Sequence, residues 1–239
     1  MIQHLTLASD LSWGGWGWSA GTAAGPLAVG HVRPGAPTWR WPAVAAYLDG
    51  PFAAAVVDLQ LRRGPEDPPV RIVIEEPPMV YSGASRGGKA GRPIGNQSAT
   101  AYGLGTLSGA VQLWTVQRGD LGYPWLVDPR TWRGWMGVGG KGRLERKQRA
   151  VQFVRLNGWG RLLDPYPWDP DPEAAGGAQG DVAEAILLQV GAARHATEAP
   201  AGPARAVAPL VDTVDKAPTA PRVVRPRVPA APKNPPLYR

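Results

Sequence analysis

The sequence predicts an α/β fold: a mixed five-stranded sheet with an antiparallel meander at one side, parallel strands at the other and helices on its faces. Three observations carry this. Three short segments near the N-terminus, Leu5–Ser9, Gly15–Ala20 and Pro26–Val32, are separated by Gly-containing turns, as in a meander. Arg71–Glu75 (RIVIE) has the β-branched richness of a buried parallel strand. Further on, helix-like segments alternate with one more short strand, so the order reads βββαβαβαα.

Each element has its own signal. In Gly15–Ala20, Trp16 and Trp18 fall on one face by the two-residue period of a strand. Pro42–Arg62 is a long apolar stretch with Pro at its first turn and Gly50-Pro51 inside it, which predicts a kinked or split helix. Ser98–Val116 is helix-like and rich in small residues, and Trp125–Val127 is a strand. Leu144–Leu156 is amphipathic, and Asp181–Arg194 closes the set with an apolar stripe through Val182, Ile186 and Val190.

The chain has 239 residues, enough for one domain and an extension. Residues 1–196 form the predicted folded domain, and 197–239 change to Pro, Ala, Val and Arg without a period, as in an extended tail. Over residues 198–239, seven basic residues face three acidic ones, which suits phosphate contact or partner capture as well as an inert solubilising role. The hydrophobic share of 44% and the 11 Trp predict that most of the chain folds. With no Cys, a disulfide framework, a thiolate zinc site and a cysteine nucleophile are excluded. An intracellular, cytoplasmic protein is the expectation: MIQHLTLASD lacks the layout of a signal peptide, and no apolar run approaches the roughly 18 residues of a membrane span. A net charge of +7 points toward a polyanionic partner.

A small set of carboxylates sits where strand and helix ends bring groups together. Asp10 ends one apolar strand, while Glu75 and Glu76 end the other. Asp181 and Glu184, three apart, share one face of the first turn of the closing helix. Singly, each has an ordinary reading: Asp10 as a turn cap, Glu75 and Glu76 as solvated strand ends, the helical pair as complements of the helix dipole. Jointly, clustered carboxylates without Cys or clustered His suit a hard cation such as Mg²⁺ or Mn²⁺. In the amphipathic helix, Lys147 interrupts an otherwise apolar stripe of Leu144, Val151 and Val154, so it either enters a cleft or snorkels at the edge. Lys141, Arg143, Arg146 and Arg149 crowd the same region with only Glu145 opposing, which suits phosphate contacts.

Four segments in this order resemble the RuvC-type Holliday junction resolvases of the ribonuclease H-like superfamily. LTLASDLSWGGWGWSA is similar to their opening strand, Asp and Gly-aromatic strand. VIEEPP is similar to their second-site strand, GRLERKQRAVQFVRL to their basic helix, and GDVAEAILLQVGAAR to their closing helix; together the likeness covers about residues 3–195. It implies a ribonuclease H-like sheet and a homodimeric endonuclease that resolves four-way junctions by paired symmetric nicks, using two Mg²⁺ ions per site with Mn²⁺ able to substitute. By the same resemblance Asp10, Glu75, Asp181 and Glu184 hold the ions, Asp10 bridging, the roles of Asp181 and Glu184 being exchangeable, and Lys147 neutralises the scissile phosphate or orients the water. Lys141, Arg143, Arg146, Arg149, Arg130, Arg133, Arg86 and Lys89 are the expected DNA contacts, and the 98–116 helix is the expected dimer interface.

The chain also departs from the family. Pro78 stands where an aromatic is usual, leaving Tyr81 or Met79 to wedge the junction. LSWGG follows Asp10, and SGASRGGKAGRP reads as a longer loop. With the stretch RLLDPYPWDPDPEAAGGAQ and the basic tail, these point to a divergent, bacteriophage-encoded member, active in a bacterial or phage-infected cell. Two other functions fit the same residues: a related nuclease acting on flaps or forks, and a junction-binding protein without catalysis. GLGTLSG reads as helix packing, GVGGKGR as a DNA-contacting loop without Walker spacing, and the dispersed His4, His31 and His195 as surface or packing residues. The Trp residues read as core, with Trp132 and Trp135 as the pair able to stack on bases.

Overall fold

The computed structural model describes residues 3–12, 15–32, 41–76, 94–171 and 176–198. Its sheet has five strands, β1 (Thr6–Ser12), β2 (Gly15–Thr22), β3 (Gly25–Val32), β4 (Arg71–Glu75) and β5 (Trp125–Val127), in the order β3-β2-β1-β4-β5. The β1–β2 and β2–β3 pairs are antiparallel; β1–β4 and β4–β5 are parallel. This is the mixed meander-plus-parallel sheet that the ribonuclease H-like resemblance implies.

Strand alternation divides the core in two. Leu5, Leu7 and Leu11 of β1 and its N-terminal approach, Trp16 and Trp18 of β2, and Ile72 and Ile74 of β4 point to one face. There they meet α1 (Trp41–Tyr47), α2 (Ala53–Arg62) and α3 (Ile94–Gln117). Trp16 is fully buried, with Tyr47 edge-on to it at 4.6 Å and Phe52 at 5.3 Å between ring centroids. The residues between, including Ala8 and Val73, point to the other face and pack under α4 (Pro129–Met136), α5 (Arg143–Leu156) and α6 (Gly177–Arg194).

The split helix is as expected: α1 and α2 are joined by a single π-helical turn, Leu48–Phe52, broken by Gly50 and Pro51. Taken as one run, Val44–Arg62 has 19 residues and a mean hydropathy of 1.2, long and apolar enough to cross a bilayer by length and composition, contrary to the expectation from the sequence. Its apolar side, Val44, Leu48, Phe52, Val56 and Leu59, is spent on the sheet.

Two boundaries and one added helix differ from the prediction in ways that bear on the site. β1 continues to Ser12, so Asp10 lies inside a paired strand and caps no turn. α6 starts at Gly177, because Gly176 (φ 82°) and Gly177 (φ 56°) make a left-handed entry that favours glycine; Asp181 and Glu184 therefore lie beyond its first turn. α4 has no counterpart among the predicted elements, yet Asp128 caps it, accepting from the backbone N–H of Arg130 at 2.6 Å, and Pro129 follows at the first helical position.

Candidate active site

Register places the site. Asp10 pairs with Gly17 of β2, and Gly17 with His31 of β3. On the other side Ser9 pairs with Ile74, so Glu75 follows beside Asp10. Glu75, Asp10, Gly17 and His31 thus form a row across four strands, on the face that α6 covers.

Gly17 is the gap in that row. A Cβ there would lie 2.6 Å from both the carbonyl carbon and the carbonyl oxygen of Asp181 and 3.0 Å from Val182 N, so only glycine lets α6 settle onto the sheet. Settling drops Asp181 between Asp10 and His31. A Cβ on Gly15 would lie 2.5 Å from His31 Nε2 and 3.0 Å from Asp181 Oδ2, so the second bare position makes room for the contact between those two side chains.

Around this seam the charged groups converge. Lys147 of α5 is buried at 2% exposure; its Nζ donates to Asp181 Oδ1 and lies 3.3 Å from Glu184 Oε2 and 4.0 Å from Asp10 Oδ2. The expected alternative, snorkelling at the helix edge, does not occur. His31 Nε2 donates to Asp181 Oδ2 at 3.0 Å. At the other end Arg133 Nη2 lies 3.4 Å from Glu75 Oε1 and 3.5 Å from Glu184 Oε1, its guanidinium over the Trp132 ring, while Trp132 Nε1 donates to Glu75 Oε2 at 2.9 Å.

The charge balance is uneven. Burial, with Glu75 next in weight, holds the Asp10 carboxyl well above the ordinary carboxylate range, and Asp10 Oδ2 has no hydrogen-bond partner. Burial and the neighbouring Glu184 push Glu75 up to about 7 against the opposing pull of Arg133. Burial would also raise Asp181, but the hydrogen bond from His31 and the charge of Lys147 outweigh it and hold this carboxyl below its usual value. Burial would lower Lys147; the three carboxylates around it reverse that and keep the ammonium charged.

The donor set fits a hard divalent cation: four carboxylates with an orphaned buried oxygen and too little positive charge. As the side chains stand, no three of the described Asp, Glu or His residues are arranged to hold a metal ion. Lys147 Nζ takes the position between Asp10, Asp181 and Glu184, so a cation there requires its withdrawal.

Of the expected DNA contacts, Lys141, Arg143, Arg130 and Arg149 are exposed, and Arg146 is half-buried. Arg149 is paired with Glu145 at 2.6 Å, and Glu145 also accepts from the backbone N–H of Lys141. Arg133, half-buried, is turned to the carboxylates of Glu75 and Glu184. Trp132 is fully buried, which removes it as a base-stacking platform, and half-buried Trp135 stacks on His195 at 4.5 Å. Tyr81, Arg86 and Lys89, with Pro78 and Met79, lie outside the described residues. Sequence reasoning missed His31 and Trp132 as partners of the acidic cluster.

No protein-family model matches the chain, and no curated protein does. Among solved structures it is similar to Thermus thermophilus RuvC in complex with a Holliday junction substrate, at 17% identity and a TM-score of 0.46, over 82% of this chain and 96% of that one. It is also similar to a structure of Thermus thermophilus RuvC alone, at 17% identity and a TM-score of 0.43, over 82% of this chain and 98% of that one.

Proposed function

We propose that the chain is a divalent-metal-dependent endonuclease that resolves four-way DNA junctions by paired symmetric nicks. The observation that carries this reading is the convergence of four carboxylates from two strands and one helix: Asp10, Asp181 and Glu184 around buried Lys147, and Glu75 joined to Glu184 through Arg133. Asp10, Glu75, Asp181 and Glu184 are the residues that would hold the ions, with Asp10 beside Glu75 in the row and Glu184 joined to Glu75 through Arg133. Two Mg²⁺ ions, when bound, supply an activated water and stabilise the leaving 3′-oxygen. Lys147, once released from the carboxylates, would be the cation that neutralises a scissile phosphate. Arg133 and Trp132 hold Glu75 from behind, and Lys141, Arg143 and Arg130 give phosphate contacts that position a duplex without reading its sequence.

Paired nicks across a two-fold junction need a two-fold enzyme. The homodimer belongs to this proposal, and exposed Leu113 and Val116 on α3 are an apolar surface consistent with it.

The test incubates the protein with a labelled four-way junction, a flap and a linear duplex, with Mg²⁺ or EDTA, beside Asp181→Asn. Symmetric nicking of the junction alone, lost in EDTA and in the variant, is the expected result. Equal cutting of the flap would favour the broader branched-DNA nuclease, and binding without cutting refutes catalysis.

A further inference from the structure

We propose that His31 is a positioning residue for metal binding: it fixes the carboxylate of Asp181 so that one oxygen, Oδ1, faces the cluster. The inference rests on the reading of the cluster as a metal site and adds a residue that reading does not contain.

His31 comes from β3, the edge strand furthest from the acidic strands, and nothing in its local sequence marks it. Its side chain is nonetheless only 5% exposed and is brought to the site by pairing with Gly17. The hydrogen bond defines its proton, because a carboxylate oxygen only accepts and Nε2 must therefore carry the hydrogen. The ring is confined: Tyr166 lies edge-on at 6.4 Å, with its hydroxyl 3.4 Å from Val29 O, and Gly15 leaves no more space than the contact requires.

The two oxygens of Asp181 are thereby given different tasks. Oδ2 is tied to the β3 side, and Oδ1 points at Lys147 between Glu184 and Asp10. An aspartate's last torsion is a broad, two-fold rotor, so without the His31 donor the carboxylate plane is set only by Lys147. A cation seated among these carboxylates would displace that ammonium, and among the described residues His31 would then be the side-chain hydrogen bond left to orient Asp181. Partners of this kind typically change metal affinity by 10–100-fold when removed.

The experiment is calorimetric titration of Mn²⁺ into the full chain, a readout independent of nicking. It compares wild type with His31→Gln, which keeps a donor nitrogen at similar reach, and with His31→Leu and His31→Phe, which remove the donor in two shapes. Thermal unfolding in EDTA checks that each is folded, and if one apolar variant does not fold the other decides. The expected result is affinity weakened about tenfold or more in the apolar variants, within about threefold of wild type in His31→Gln, and no further loss when either apolar change is added to Asp181→Ala, which leaves His31 no oxygen to donate to. Unchanged affinity in a folded apolar variant overturns the positioning role alone. So does an equal loss in the Asp181→Ala background. A wild-type protein that binds no Mn²⁺ overturns the metal reading and this inference with it.

Discussion

Gly17→Ala is the sharpest test of how the site is built. The added methyl would lie 2.6 Å from the carbonyl carbon and oxygen of Asp181, where ordinary carbon contacts begin near 3.5 Å, so a relaxation of about 1 Å is required. The atoms it meets are backbone, and α6 is buried from Gly177 to Ala193, so no flexible side-chain end can yield. Alanine in a strand would otherwise gain about 0.5–1 kcal/mol over glycine; here overpacking of about 1–3 kcal/mol opposes and exceeds it. A domain of this size should lose roughly 2–4 °C in Tm for each kcal/mol. Because the displaced residue carries a site carboxylate, the proposed nicking activity should fall about 100-fold, the cost of misplacing a reacting group by about 1 Å. The control is Gly134→Ala, exposed in α4 with open space around the added methyl, which should be neutral or slightly stabilising and leave nicking unchanged. Denaturant unfolding and junction nicking measure both variants. A Gly17→Ala protein as stable and as active as wild type would refute the account of Gly17 as the seat of Asp181.

Three further outcomes follow from the charges. In EDTA, Glu75, at about 7 in the fold against 4.5 when unfolded, binds more protons folded than unfolded. Its stabilising contribution is complete below pH 4.5 and is lost as pH rises through 7, on the order of 3 kcal/mol; unfolding of wild type and Glu75→Gln at pH 5 and 7.5 should show the difference, and parallel pH curves would refute it. Lys147→Met leaves Asp181, Glu184 and Asp10 without their shared cation, so the metal-free protein should lose about 3–5 kcal/mol, and Mg²⁺ should raise its Tm more than that of wild type; an equal rise counts against competition between Lys147 and metal. Trp132→Phe removes the donor to Glu75 at 2.9 Å and should cost about 1–3 kcal/mol in denaturant unfolding, whereas a loss no larger in wild type than in the Glu75→Met background, which has no oxygen to accept, would show that the hydrogen bond contributes nothing.

Much of the fold is legible because its signals are local. Alternation in β1 and β2, the apolar run of β4 and the Gly-Pro break between α1 and α2 each arise within a few residues. Lys147 is visible as a charge in an apolar stripe, and the Asp181–Glu184 spacing as one helix face. What is not legible depends on register. His31 meets Asp181 across 150 residues of chain, through a hairpin pairing and the approach of α6, and no spacing of three scattered histidines encodes that. A trace is present in GWGWSAG: the alternation that places Trp16 and Trp18 on one face leaves Gly15 and Gly17 bare on the other, and a bare strand face is one that a helix backbone can approach. Asp128-Pro129 is likewise a readable start for α4, the helix that delivers Arg133 and Trp132.

The charge balance of the cluster is uneven. Asp181 has two partners, His31 and Lys147, and its carboxyl is held low. Glu75 has Trp132 and Arg133, yet burial and Glu184 still push it up to about 7. Asp10, between them, shares Lys147 at 4.0 Å and has one oxygen with no hydrogen bond at all. The protein's own cations therefore neutralise the helix side of the cluster more fully than the sheet side, and the deficit lies on the parallel pair β1–β4. A charge introduced beside Asp10 and Glu75 gains the most, because desolvation of those two carboxylates is the largest cost left uncompensated. The sheet row thus buries two adjacent acids under α6 with too few positive charges, and that deficit is what a divalent cation would relieve under the proposed function.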